Sequence, residues 1–176
     1  MGLNWVEDIV SHYYKLKGYL VIENEDLLMP RTPTRQVRGH SDIDVIAIKD
    51  DQIIHIECQT WWGPGKKDEL REFQRLLDRF TLAPNAIFNK YRFLNPMSFN
   101  IVNKFVTSGK PKRSRNGPWD RLETFCNTNN IELIEINTII DELIKILKIK
   151  FPQPEKLGKE HGIARFLIHL IQNKYV

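Results

Sequence analysis

Two neighbouring segments of this 176-residue chain carry acidic side chains at alternating positions within otherwise apolar sequence. They are residues 39–48 (GHSDIDVIAI) and 52–59 (QIIHIECQ), and with the turn at residues 50–51 they predict a β-hairpin. Pairing about that turn places Asp44 opposite Glu57, and like charges with Cβ atoms ~5 Å apart repel each other. A divalent cation bound by both carboxylates would offset the repulsion, and hard oxygen ligands suit Mg²⁺ or Mn²⁺. The spacing therefore predicts a metal site at the open end of the hairpin.

Because side chains alternate along a strand, this register places a set of polar side chains on one face of the hairpin. They are Asp42, Asp44, His55, Glu57 and Gln59. The other face takes Ile43, Val45, Ala47, Ile54, Ile56 and Cys58. Two alternatives stay open, a register shifted by one residue that sends Asp44 to solvent and a face that is simply polar and solvated. We favour a site, because a solvated face does not require acids at the end of two strongly apolar strands. His55 itself, opposite Ile46, is interpreted as a packed strand histidine.

Further elements must surround this hairpin. The periodicity predicts a helix over 3–17, a short strand over 19–22, a helix over 66–80, a strand over 99–107, a helix over 119–128, a strand over 131–136 and helices over 138–149 and 161–175. In the helix over 66–80, Leu70 is assigned to the apolar side, and residues 84–97 have no clean period and receive no assignment. We therefore predict an α/β domain over 1–150 and a C-terminal helical extension over 151–176 that packs on it.

Charge is distributed unevenly along the chain. Residues 1–57 carry a net charge of −4 and residues 58–176 a net charge of +8, and residues 79–119 contain no acid. A basic stretch of this kind can line a phosphate backbone, and its alternative is a solvated loop that tolerates charge. The candidate nucleic-acid-binding residues are Arg31, Arg35, Arg38, Lys66, Lys67, Lys110, Lys112, Arg113 and Arg115.

The composition, 41% hydrophobic and 27% charged, is typical of a globular protein rather than a disordered one. No apolar run approaches the ~18 residues of a membrane span, and the first twenty residues are charged where a signal peptide is apolar. We expect a cytoplasmic protein with no membrane partner. Cys58 and Cys126 are too few for a disulfide scaffold and are expected to be reduced.

On three sequence features the chain resembles the PD-(D/E)XK nuclease superfamily, which includes restriction enzymes, Mrr-type nucleases and archaeal Holliday junction resolvases. The features are Glu7 in an early helix, Asp44 in SDIDVIAI, and the trio Glu57, Cys58 and Gln59 in HIECQ. The family's element order, a helix, a three-stranded antiparallel meander, a helix and a further strand, matches residues 3–107. The resemblance implies a restriction-endonuclease-like core with a mixed central sheet flanked by helices. It also implies a Mg²⁺-dependent (or Mn²⁺-dependent) endonuclease that hydrolyses phosphodiester bonds in DNA.

The resemblance assigns roles to individual residues. Asp44 and Glu57 become catalytic metal ligands, joined by the backbone carbonyl of Cys58, and Asp42 becomes an additional ligand. Glu7 borders the buried face of its helix and is expected to reach the site, as a helix-borne glutamate does in resolvases. Its alternative role is that of a first-turn glutamate that interacts with the helix dipole.

One catalytic position departs from the family pattern. Gln59 stands where the family usually has a lysine that positions the attacking water, and glutamine can hydrogen-bond a water but brings no charge. Lys66 and Lys67 are candidates to supply the missing cation.

DNA is the expected partner, with RNA left open, and the resemblance favours a homodimer. The first alternative function is a catalytically weakened or inactive nuclease-fold protein that binds DNA. The second is a glycosidase with two catalytic carboxylates, against which the basic stretch argues.

Overall fold

The computed structural model describes residues 5–29, 39–60, 68–107 and 117–150. Helices and strands follow one another along the chain as α1 (Trp5–Leu16), β1 (Leu20–Met29), β2 (Gly39–Lys49), β3 (Gln52–Gln59), α2 (Glu69–Lys90), β4 (Asn100–Thr107), α3 (Pro118–Thr128), β5 (Ile131–Glu135) and α4 (Ile136–Lys150). This mixed α/β architecture confirms the predicted fold class. The predicted order of a helix, an antiparallel meander, a helix and further strands is also confirmed.

The five strands form one mixed sheet in the order β1-β2-β3-β4-β5. Strands β1, β2 and β3 pair antiparallel, whereas β3, β4 and β5 pair parallel because α2 and α3 provide the crossovers between them. The hairpin register is the predicted one where residues 45–49 pair with residues 52–56, with Lys49 opposite Gln52 and Ile46 opposite His55, whereas the predicted pair Asp44–Glu57 lies just beyond the paired residues. The register of the turn therefore brings the ends of β2 and β3 that carry Asp44 and Glu57 side by side.

Helices cover both faces of the sheet. On one face α1 and α4 bury Val6, Val10, Tyr14, Leu143 and Leu147 against Val45, Ala47, Ile54, Ile56 and Val106. On the other face α2 packs on the hairpin, and α2 and α3 together pack on β4 and β5. Each hairpin strand is thus buried on both sides, which explains why its apolar runs are nearly continuous.

Two elements are longer than predicted. Strand β1 continues beyond Ile22 to Met29, because β2 offers it a pairing edge along this whole length. Helix α2 continues from Phe80 through Pro84 to Lys90, because Ala83 and Ile87 extend the buried stripe at helical spacing. The residues without an assignment are therefore partly helical.

The predicted apolar side of α2 is wrong at its first turn. Leu70 is 80% exposed, and Glu69 is buried in the inward position. Glu69 lies seven residues before Leu76, so it continues the buried stripe, and its Oε2 accepts a hydrogen bond of 2.7 Å from Arg121 Nε of α3.

The predicted alternation of β2 also fails at one position. Ile43 was expected on the face of Val45, but it packs with Ile46, Ile48 and Ile53 against α2. The pairs Glu23–Val45 and Glu25–Ile43 flank Asn24, which has a left-handed φ of 50°. Asn24 therefore stands opposite Asp44, at the position where the alternation of β2 changes.

Several predictions lie outside the described residues. These are the helix over 161–175 with the extension over 151–176, and the basic residues Arg31, Arg35, Arg38, Lys66, Lys67, Lys110, Lys112, Arg113 and Arg115. Cys58 and Cys126 are both free, as predicted. Within the four described ranges, none of the helices combines the length and apolar character that crossing a membrane requires.

Candidate active site

Asp44 lies near the open end of β2, and only 6% of it is exposed. Its Oδ2 accepts a hydrogen bond of 2.6 Å from the backbone N–H of Cys58 on β3. Its Oδ1 lies 3.5 Å from Arg79 Nη2 of α2. One carboxylate oxygen therefore holds the hairpin together, while the other points toward the helix.

Glu57 on β3 shows the same division of its two oxygens. Oε1 lies 2.8 Å from His55 Nε2, and Oε2 lies 2.6 Å from Arg79 Nε. Glu57 is 2% exposed. Asp44 Oδ1 and Glu57 Oε2 thus converge on a single guanidinium group.

His55 is a packed strand histidine, as interpreted from the sequence. It is fully buried, and its ring lies 4.8 Å from that of Phe80, centroid to centroid. Burial lowers the pKa of His55 to about 3, and the charge of Arg79 acts in the same direction. The ring is therefore neutral, and the hydrogen bond between its Nε2 and Glu57 Oε1 fixes the orientation of the Glu57 side chain.

The charges at the site do not balance. Burial raises the pKa of Asp44 to about 7, and repulsion from Glu57 adds to the rise. Burial also raises the pKa of Glu57 to about 8; the attraction of Arg79 opposes the rise and is too weak to cancel it. The pKa of Arg79 is raised, because the attraction of both carboxylates outweighs its own desolvation. One guanidinium faces two buried carboxylates, so a proton or another cation must neutralise the remaining negative charge.

The other predicted site residues lie at the edge of this cluster. The Asp42 side chain is exposed, but its charge helps to raise the pKa of Asp44 and of Glu57. Glu7 of α1 is half-buried, and its charge contributes to the raised pKa of Glu57. Gln59 pairs with Thr107 of β4 and is half-buried. The structure therefore brings all the predicted acids into one electrostatic neighbourhood.

A cavity of about 280 Å³ opens beside the carboxylates. Glu57, Gln59, Arg79 and Phe105 contribute to its walls. A larger cavity of about 400 Å³ lies among Tyr13, Tyr14, Tyr19 and Trp119. We assign the chemistry to the smaller cavity, because the buried Glu57 with its raised pKa and the Arg79 that also contacts Asp44 form part of its wall.

The donor set can be tested against the divalent cation that the family resemblance implies. Among residues 5–29, 39–60, 68–107 and 117–150, no three His, Cys, Asp or Glu side chains form a ready cluster for a metal ion. Two oxygens nevertheless converge, and Glu57 Oε2 is buried without a well-aligned hydrogen bond, although Arg79 Nε lies close by. Two hard oxygen donors and an unneutralised negative charge fit Mg²⁺ or Mn²⁺, which retain several waters of their own.

Arg79 is the residue that the sequence analysis did not assign to the site. It was grouped only with the acid-free stretch, yet its guanidinium contacts Asp44, Glu57 and the backbone carbonyl of Asp42. A signal existed in its spacing, since Arg79 follows Leu76 by three residues and therefore shares the inner side of α2. An arginine on that side, half-buried as it is, is stabilised by an acidic partner, and the hairpin offers two.

Comparisons with known proteins give structural neighbours only. No family model matches the chain, and no curated protein matches it. Among solved structures, a protein of unknown function, AF1548, is 16% identical with a TM-score of 0.45 over 97% of this chain and 78% of its own. Protein VC1899 from Vibrio cholerae is 15% identical with a TM-score of 0.43 over 77% of this chain and 30% of its own. The small subunit of the heterodimeric restriction endonuclease R.BspD6I is 12% identical with a TM-score of 0.37 over 97% of this chain and 81% of its own.

Proposed function

We propose that this protein is a metal-dependent endonuclease that hydrolyses phosphodiester bonds in DNA. One observation carries the proposal: oxygens of two buried carboxylates, Asp44 Oδ1 and Glu57 Oε2, face the single guanidinium of Arg79, which supplies less positive charge than the two need. The family resemblance of the surrounding motif and the basic stretch of the sequence support a phosphate substrate.

Asp44 and Glu57 would hold a Mg²⁺ or Mn²⁺ ion, with the Cys58 carbonyl and Asp42 available as further oxygen donors. When bound, such an ion supplies Lewis acidity toward the phosphate and lowers the pKa of a water molecule. The surrounding groups keep the donors in place. Cys58 N–H fixes Asp44, and His55 fixes Glu57.

Hydrolysis forms a bond between a water oxygen and phosphorus and breaks one bridging P–O bond. The water gives up a proton, and the departing oxygen gains one. Gln59 lines the cavity and can orient the water through its side-chain amide. The basic residues predicted from the sequence would hold the phosphate backbone on either side of the reacting group.

A second candidate function is DNA binding without turnover. It is favoured by a specific observation, the absence of a cation at Gln59 together with the engagement of Arg79 by both carboxylates. In that case the protein binds DNA with a steep salt dependence and does not cleave it.

The two candidates separate in a nicking assay. Supercoiled plasmid and a branched DNA are incubated with Mg²⁺, with Mn²⁺ or with chelator, using the wild type, Glu57→Ala and the isosteric Glu57→Gln. Glu123→Ala, which removes an exposed acid on α3, is the matched control. Metal-dependent nicking that is lost in both Glu57 variants and kept in the control supports the nuclease. Absence of nicking with every metal, combined with a gel shift, favours the binding protein.

A further inference from the structure

Arg79 occupies the position that a site cation would need, and no other described basic side chain contacts both carboxylates. Its Nε lies 2.6 Å from Glu57 Oε2, its Nη2 lies 3.5 Å from Asp44 Oδ1, and Nη2 also donates to the Asp42 carbonyl. The side chain remains 32% exposed. It is therefore bound by the site and still has access to solvent.

The oxygens that Arg79 contacts are the ones that face away from the hairpin. Asp44 Oδ2 already accepts a hydrogen bond from the Cys58 N–H, and Glu57 Oε1 is already hydrogen-bonded to His55 Nε2. A divalent cation at the site must therefore use Asp44 Oδ1 and Glu57 Oε2, which places it in direct competition with the guanidinium. A divalent ion and a guanidinium repel each other at such distances, so binding of the ion favours release of Arg79.

A released guanidinium has an obvious acceptor. A scissile phosphate would enter the cavity whose walls include both Arg79 and Gln59, and Gln59 brings no charge to it. Guanidinium groups match phosphate oxygens with two parallel hydrogen bonds. The divalent ion and Arg79 together would then face Asp44, Glu57 and the phosphodiester with three positive charges against three negative ones.

We propose that Arg79 is the phosphate-binding cation of this site, that it rests on Asp44 and Glu57 in the metal-free protein, and that divalent-ion binding transfers its guanidinium to the scissile phosphate. The proposal rests on the proposed nuclease function. It differs from a purely structural role, in which Arg79 would hold the two carboxylates in place with or without metal.

Metal affinity separates these two roles without any cleavage. Arg79→Gln should bind Mn²⁺ about tenfold more tightly than the wild type by calorimetric titration, because the ion no longer competes with a guanidinium. Arg71→Gln is the matched control for metal affinity, since Arg71 is an exposed arginine of the same helix and is not among the residues that line the cavity. It should leave the affinity for Mn²⁺ unchanged. Weaker or unchanged binding by Arg79→Gln would overturn the exchange.

The wild type provides a second readout that does not depend on whether a variant folds. The ¹⁵N resonance of Arg79 Nε, assigned with Arg79→Lys, reports the contact with Glu57 Oε2. Titration with diamagnetic Mg²⁺ should shift this resonance, while that of Arg121 Nε stays in place. If the Arg79 resonance does not respond although Mg²⁺ binds, the guanidinium does not move and the proposal fails.

Cleavage and chemical rescue complete the test. At saturating metal, Arg79→Gln should nick DNA on the order of 10²-fold more slowly, a loss typical of removing one charge-stabilising donor. In Arg79→Ala, added guanidinium chloride at millimolar concentration should restore part of the rate, whereas sodium chloride at equal ionic strength should not. Wild-type nicking rates in Arg79→Gln would refute the proposed role of Arg79 without contradicting the proposed nuclease function. A wild type that does not nick DNA would refute the nuclease, and the affinity and resonance experiments would still decide whether the guanidinium moves.

Discussion

Helix α2 contributes one residue to each of two ion clusters that contain a buried glutamate. The two clusters differ in the number of carboxylates for each guanidinium. Near the start of the helix Glu69 pairs with Arg121 of α3, one carboxylate with one guanidinium. Three turns later Arg79 meets both Glu57 and Asp44. The first pair connects two helices, whereas the second lies at the open end of a strand hairpin beside a cavity.

The difference between the two clusters shows how a structural ion pair can be distinguished from a site. The balanced pair carries no net charge, so folding alone accounts for it, even though Glu69 Oε1 is buried without a hydrogen-bond partner. An unbalanced cluster leaves negative charge in a desolvated place, which raises the pKa of Asp44 and Glu57. The free-energy cost of burying this excess negative charge is tolerated where a bound ligand neutralises the charge.

The largest expected effect is on cleavage. Asp44→Asn keeps the shape of the side chain and removes its charge, so metal-stimulated nicking should fall by at least about 10³-fold, equivalent to about 4 kcal/mol of barrier. DNA binding in a gel shift should be retained. Glu69→Gln removes a buried carboxylate from the balanced pair and should nick DNA at the wild-type rate. Metal-stimulated nicking that survives in Asp44→Asn would remove Asp44 from the metal site.

The sequence was sufficient to predict the hairpin and its acids, because period-two alternation and a tight turn determine the register of β2 and β3. It did not reveal the break at Ile43, which lies beside the left-handed Asn24 in a part of β1 that was not predicted as strand. An irregularity on a neighbouring strand leaves no periodic signal in the strand that it distorts.

The inward positions of Arg79 and Glu69 were not predicted, for a related reason. Both lie on the inner side of α2, where the search for an apolar stripe passes over charged residues. Their burial depends on partners that are distant in sequence, Glu57 and Arg121. Local pattern therefore predicted the carboxylates at the site, and only the packing of α2 on the sheet identified their counter-ion.

The second prediction concerns stability and pH. Above about pH 7.5 His55 is neutral in the folded and the unfolded state, and below that pH its titration is common to the wild type and to variants of the carboxylates, so the raised pKa values of Asp44 and Glu57 determine the difference between them. The folded state then binds more protons than the unfolded one, and stability falls as the pH rises through about 7 and 8.

Between pH 6.5 and 9 the metal-free wild type should lose on the order of 2 kcal/mol of unfolding free energy relative to Glu57→Gln. Urea denaturation in chelator measures this difference, and excess Mg²⁺ should remove most of the decline. Parallel pH profiles for the wild type and the variant would show that the cluster is already neutralised and would contradict its charge imbalance.

A third prediction concerns Gln59 of β3, the position at which the family usually has a lysine. In the Arg79→Gln background, Gln59→Lys returns a positive charge to the cavity and should restore nicking about tenfold, equivalent to about 1.4 kcal/mol of barrier. The same substitution in the wild type should change the rate little, because Arg79 already supplies the charge. An equal gain in both backgrounds would mean that the two positions act independently.

The smallest effect is expected at the balanced pair of Glu69 and Arg121. It tests whether this pair, unlike the Arg79 cluster, is insensitive to pH and to Mg²⁺. Glu69→Gln leaves Arg121 half-exposed and able to reach solvent, so the unfolding free energy should fall by about 1 kcal/mol. Because no excess charge is involved, this loss should be the same at pH 6.5 and pH 9 and the same with or without Mg²⁺. Denaturation curves in the four conditions measure it, with Arg79→Gln as the metal-sensitive counterpart. If Mg²⁺ offsets the loss in Glu69→Gln, the ratio of charges does not distinguish the two clusters and the assignment of the site must rest on the cavity alone.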